Sequence, residues 1–355
     1  MGPGLKRLVL GTGVAILVGG VALGARGGAL TARMGVAGLP GSTAAIAVQP
    51  VWEVKGPPRL ELGGVAGMGE TGDGSVWITD DMNRRIVRVS ADGTGFRVAA
   101  RQGQGPGEFA VPTMIAPRPD GGVAVYDIER QSLELFSSSG AFEKSVPLDR
   151  QVINPKGFAI LPSGEAILSG ALAAGEGSIH RFGVDGRLRS SWYPIPRSRD
   201  EYESRLIAGG PVAARPDGGL YFSQAAPHRI SLLTLQRNRT RQSIVAEDPH
   251  ILRPIADDFS KIEGHWRTFR WWFPQSKGIF VLPDGRLLNI ITNAEEGYSL
   301  WELYSRGGER EVLTRVNRAY TPWALSRDGK TVLASYQDPE TEEYVAARLS
   351  VALPR

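Results

Sequence analysis

A short turn, Asp-Gly in five places and Ser-Gly in one, recurs along this chain between runs of strand-forming residues. It is found at Asp73-Gly74, Asp120-Gly121, Ser163-Gly164, Asp217-Gly218, Asp284-Gly285 and Asp328-Gly329. Such a pair supplies the positive φ that a tight hairpin requires. Successive turns lie 47, 43, 54, 67 and 44 residues apart, so three intervals share nearly one length and two read as the same unit with an insertion. Register supports the repeat more strongly than spacing does. Five residues before each turn stands a large apolar side chain: Met68, Ile115, Phe158, Val212, Ile279 and Trp323. The position before it is Gly67, Gly157, Gly278, Pro211 or Pro322 in five units and Met114 in the other. Each unit then predicts a first strand, the turn, a second strand such as Val76-Trp77-Ile78, and a third such as Ile86-Val87-Arg88-Val89. A second polar turn such as Ala91-Asp92-Gly93 leads to a fourth strand. Four antiparallel strands in each of six units specify an all-β, six-bladed β-propeller.

The last unit predicts only three strands, and Val48-Gln49-Pro50-Val51-Trp52-Glu53-Val54 is a strand without a blade. We expect this N-terminal strand to complete the sixth blade and close the ring, which removes an exposed sheet edge. The propeller then spans residues 48–355, with insertions near 194–209 and 247–276.

The fullest unit contains Gly105-Pro106-Gly107-Glu108-Phe109, then Pro112, Pro119-Asp120-Gly121, and Asp127 at the end of the second strand. Ile78-Thr79-Asp80-Asp81-Met82-Asn83-Arg84-Arg85-Ile86 repeats the second half of the pattern. This resembles the NHL-repeat group of six-bladed propellers over about 300 residues. The strand-ending aspartate becomes Gly170, Gln224, Ile291 and Ser335 in later units, so the resemblance implies the fold rather than an inherited activity. Asp80 and Asp127 themselves are expected to hydrogen-bond the turn at the strand end.

Before the propeller, Lys6 and Arg7 precede an apolar stretch from Leu8 to Ala25. Residues 1–25 are read as a signal peptide, or as a membrane anchor through residues 8–25 if uncleaved, and 26–47 as a Gly/Ala-rich linker. This places the protein outside the cytoplasm, periplasmic or extracellular. The formal charge of +4 is matched by Lys6, Arg7, Arg26 and Arg33 of that leader, so the propeller is neutral and nucleic acid is not an expected partner. The chain has no cysteine, which removes disulfides, thiolate metal sites and a cysteine nucleophile.

In a propeller the loops between blades and between second and third strands share one face, which we term the loop face. The Asp-Gly turns lie on the other, the turn face. Seven residues before each turn are Ala66, Thr113, Lys156, Gly210, Lys277 and Thr321, at the loop-face end of each first strand. Lactonase-like propellers gather carboxylate and amide oxygens there around a divalent cation, as hard cations require. This set has no carboxylate and two lysines, which suits an anionic ligand. Amidating lyases related to NHL proteins use channel histidines on zinc, yet only His180, His228, His250 and His265 exist here, scattered over a strand, a loop and the insertion. No G-x-S-x-G, H-E-x-x-H or P-loop sequence is present. The candidate ligand-binding residues are Lys156, Lys277, Arg85, Arg130, His228, His265, Arg267, Trp271 and Trp272. The last four belong to an insertion that resembles a recognition loop. No catalytic residue, metal ligand or cofactor is assigned. The expected function is non-enzymatic binding of a small anionic ligand or a protein partner on the loop face. The alternative is a hydrolase or lyase at the same mouth, with or without a metal.

Overall fold

The computed structural model describes residues 45–175, 177–195, 204–205, 207–224, 228–236, 239–247, 275–294 and 296–354. These form six four-stranded antiparallel sheets. Blade one contains β2 (Gly67–Glu70), β3 (Val76–Asp80), β4 (Arg85–Val89) and β5 (Phe96–Ala100), hydrogen-bonded in that order. Blades two to five repeat the order, and their first strands are β6 (Pro112–Pro117), β10 (Val152–Ile160), β14 (Val212–Ala214) and β18 (Gln275–Val281). Blade six contains β22 (Thr321–Leu325), β23 (Thr331–Gln337) and β24 (Tyr344–Ala352), and its fourth place is taken by β1 (Ala47–Val54). No helix among the described residues is long and apolar enough to cross a membrane.

The turns follow from their sequence. In every unit the glycine has positive φ, between 70° at Gly329 and 93° at Gly121. Its N–H closes an i to i+3 bond, as from Gly74 to the Thr71 carbonyl at 2.9 Å. The aspartate before it accepts the N–H two residues on, as Asp217 does from Gly219 at 3.0 Å and Asp284 from Arg286 at 2.9 Å. Only glycine adopts this φ without strain, and the carboxylate fixes the residue just before the next strand.

The glycines six residues before the turns have a different role. First strands of successive blades pack against one another around the ring. A Cβ on Gly67 would stand 2.9 Å from the Ile115 nitrogen and the Thr113 carbonyl oxygen of the next blade. One on Gly157 would stand 2.4 Å from the Gly210 carbonyl oxygen, and one on Gly278 2.6 Å from the Pro322 ring. None of the three has positive φ. Close backbone approach, rather than turn conformation, therefore keeps glycine in this register. Hydroxyls finish the seams: Thr79 donates to the Thr113 carbonyl, Ser169 to Gly210 and Thr292 to Tyr320.

The core is divided among the seams. Trp77, Phe109, Ile115, Val125 and Phe136 fill the space between blades one and two. Leu288, Trp301, Tyr320 and Val332 do the same between five and six. β1 pairs antiparallel with β24 from Ala47↔Ala352 to Val54↔Ala346, and its Trp52 packs with Leu62, Met68 and Val87 of blade one. The N-terminal strand closes the ring, as its sequence predicted.

Candidate functional site

On the turn face, four of the five turn aspartates pair with an arginine of their own blade: Asp73 with Arg88, Asp120 with Arg118, Asp217 with Arg215 and Asp284 with Arg286. Burial alone would raise the Asp73 carboxyl, but hydrogen bonds from Ser75 and Thr71 and the Arg88 charge hold it down at about 2. A cleft of about 290 Å3 opens here between Leu161, Pro162, Pro216 and Asp217, and its Arg181 is paired with Glu165.

On the loop face, the aspartates that end second strands are structural. Asp80 and Asp127 are completely buried. Asp127 accepts N–H bonds from Ala110 and Val111 of the preceding inter-blade loop and from Glu129 and Arg130 of its own turn. Asp80 accepts from Gly63 and Asn83 in the same way, and from the Arg85 side chain at 2.8 Å. Each therefore ties two loops together, as the turn-bonding expectation required. The neighbouring Asp81 is pushed up by burial.

Arg85 and Arg130 are engaged in the same architecture. Arg85 Nη2 donates to the carbonyls of Leu60 and Glu61, and Arg130 Nη1 donates to that of Glu108 at 2.6 Å. Their side chains are 13% and 22% exposed, so a ligand would compete with these loop carbonyls for both guanidiniums. The Gly-Pro-Gly loop is likewise self-capped. The Gly105 N–H donates to the Glu108 carboxylate, and this bond leads the causes that lower the Glu108 carboxyl.

Lys156 and Lys277 are placed differently. The register of β10 against its partner strand shifts between Ile153 and Gly157, and that of β18 between Ser276 and Gly278. Each lysine thus stands in a β-bulge at the loop-face end of an innermost strand, where bulges re-aim side chains. Thr113 occupies the same shift in β6. Lys277 is exposed and Lys156 half-buried. Lys277 Nζ donates to the Gln275 side chain at 3.1 Å.

The two described histidines, His180 and His228, are interior, and His250 lies outside the described residues. His180 is fully buried, bonded to Ser191 and to the Gly170 carbonyl, and burial lowers it to about 4. His228 was expected on the loop face, yet it is 1% exposed and directed between blades four and five. Its Nε2 lies 3.4 Å from Glu302 Oε2. Burial alone would raise the Glu302 carboxyl, but His228, Asn289 and Arg310 together hold it down at about 2. Glu302 and Asn289 escaped the sequence reading. Five residues past the turn the other units have Ile78, Val125, Leu168, Phe222 and Leu333, and Asn289 is the polar exception that could have flagged the site. His265, Arg267, Trp271 and Trp272 lie outside the described residues. Among the described residues, no three His, Asp or Glu side chains converge to hold a metal ion.

No protein-family model and no curated protein matches the chain. Solved structures do. Virginiamycin B lyase from Staphylococcus aureus is 15% identical, with 86% of this chain and 100% of that one covered at a TM-score of 0.52. A gluconolactonase from Xanthomonas campestris is 12% identical, covering 86% and 89% at 0.52. The calcium-binding protein regucalcin from Agrobacterium tumefaciens is 15% identical, covering 88% and 96% at 0.52. At these identities the likeness shows the six-bladed propeller alone.

Proposed function

We propose that this protein is an exported, non-enzymatic propeller that binds an anionic ligand, either a small molecule or an acidic patch on a protein partner, on its loop face. The observation that carries the reading is the placement of Lys156 and Lys277 in bulges at the loop-face ends of two innermost strands, with Gly210 of blade four between them in ring order. Arg85 and Arg130 contribute indirectly, by holding the loops that surround the mouth. The insertion with His265, Arg267, Trp271 and Trp272 would supply aromatic contact above it, since Trp and Arg dominate binding hot spots.

The names of the neighbouring structures, a lyase and a gluconolactonase, favour a second reading, a hydrolase or lyase at the same mouth. Propellers host both kinds of activity, so fold does not choose between them. Thermal melting of the purified protein against anionic small molecules and divalent ions separates the two. Saturable stabilisation by an anion that is lost in Lys156→Gln and Lys277→Gln supports binding. A stoichiometric divalent metal bound at the mouth, with stabilisation by that metal alone, contradicts it.

A further inference from the structure

The seam between blades four and five is apolar on its turn-face side, where Tyr221, Ile230, Ile279, Leu287 and Tyr304 pack together. Towards the loop face its character changes. In β15 (Leu220–Gln224), Ser223 stands two residues beyond Tyr221, and His228 stands two before Ile230 of β16 (Arg229–Gln236). Strand alternation therefore puts both side chains on the side of blade four that faces blade five. Ser223 pairs directly with Ile230, which makes His228 its diagonal neighbour. Opposite them, Asn289 stands two residues beyond Leu287 in β19 (Leu287–Asn293), and Glu302 two before Tyr304 in β20 (Tyr298–Tyr304).

The blade-five side of this polar layer is closed on itself. Ser276 donates to Asn289 Oδ1 at 2.7 Å, Asn289 Nδ2 to Glu302 Oε2 at 2.7 Å, and Arg310 to Glu302 Oε1 at 3.0 Å. The Glu302 charge is thereby matched by Arg310. The blade-four side is not closed. Ser223 Oγ and His228 Nδ1 are buried and make no hydrogen bond, and His228 Nε2 has only the Glu302 carboxylate, 3.4 Å away, while Ser223 is 0% and His228 1% exposed. Each unsatisfied buried group costs about 1–3 kcal/mol. Orphan groups on adjoining residues point to a shared partner rather than to independent losses.

We propose that Ser223 and His228, facing Asn289 and Glu302, form an enclosed binding site for one small neutral molecule that both donates and accepts hydrogen bonds. In the resting protein that molecule is a single water bridging Ser223 Oγ and a ring nitrogen of His228. Water is the guest because buried waters serve such groups with about three hydrogen bonds each. The guest is neutral because the one carboxylate present already has its cation. This site does not depend on the loop-face reading.

The test uses the folded propeller and two variants, Ser223→Ala and His228→Phe. A crystal structure that resolves ordered water is expected to show density within hydrogen-bonding reach of both residues. Each substitution alone is expected to lower the melting temperature by roughly 2 °C or more. Because the two side chains share a guest, the double variant is expected to lose clearly less than the sum. Additive losses, or a seam with no density between the two side chains, overturn the proposal. If His228→Phe does not fold, the Ser223→Ala structure decides alone, since it removes one hydroxyl. A displaced or absent water supports the site, and an unmoved water at full occupancy contradicts it.

Discussion

Arg348 of blade six donates to the Glu70 carboxylate of blade one at 2.7 Å, across the junction where the ring closes. Both side chains are enclosed, and the Arg327 N–H adds a second bond to Glu70 at 2.8 Å. The same junction holds Trp52, which donates from Nε1 to the Ala91 carbonyl at 3.1 Å and packs beside Arg348. Removing one partner of a buried pair typically costs about 3–5 kcal/mol. Arg348→Ala is therefore expected to lower the unfolding free energy measured in urea by an amount in that range, with a lower midpoint. Deletion of residues 48–56 is expected to abolish cooperative unfolding or cause aggregation. An unchanged midpoint in the deletion would remove β1 from the closure.

Gly157 makes a sharper claim about packing. Alanine there would press its Cβ against the Gly210 carbonyl, and overpacking of this kind costs roughly 1–3 kcal/mol. Gly307 has ordinary φ and nothing nearer than 3.5 Å, so Gly307→Ala is expected to be neutral or slightly stabilising. Equal effects of the two substitutions in chemical denaturation would refute the close-approach explanation.

His180 sets an acid limit on stability. Its folded value of about 4 lies below the ordinary 6.5, so the unfolded chain takes up the proton first as pH falls. The stability it contributes is complete above pH 6.5 and drains away towards pH 4, by about 3 kcal/mol in all. Glu302, depressed to about 2 from 4.5, adds a second loss at lower pH. Stability measured against pH should thus slope downward through 6.5 to 4 in the wild type. His180→Gln, which can still bond both Ser191 and the Gly170 carbonyl, should flatten that stretch.

The strands, the turns and the closing strand were legible because each depends on local chemistry repeated in register. An Asp-Gly pair reports its own φ, and an apolar residue five places before it reports the strand. The site was less legible because it depends on which neighbours the ring brings together. Arg85 reads as a surface cation until Leu60 and Glu61 are seen to offer it their carbonyls. His228 reads as a loop residue until alternation from Ile230 turns it inward towards Glu302. The bulges that carry Lys156 and Lys277 have no turn signature, so sequence placed the lysines at the strand ends without showing how they are presented.

Calorimetric titration of the purified propeller with the anion that stabilises it most tests the central claim directly. The wild type is expected to bind with saturable stoichiometry, and the Lys156→Gln, Lys277→Gln double variant to lose at least tenfold in affinity, about 1.4 kcal/mol, with its melting temperature unchanged. Retained affinity in a folded double variant, or no saturable anion binding by the wild type, would contradict it.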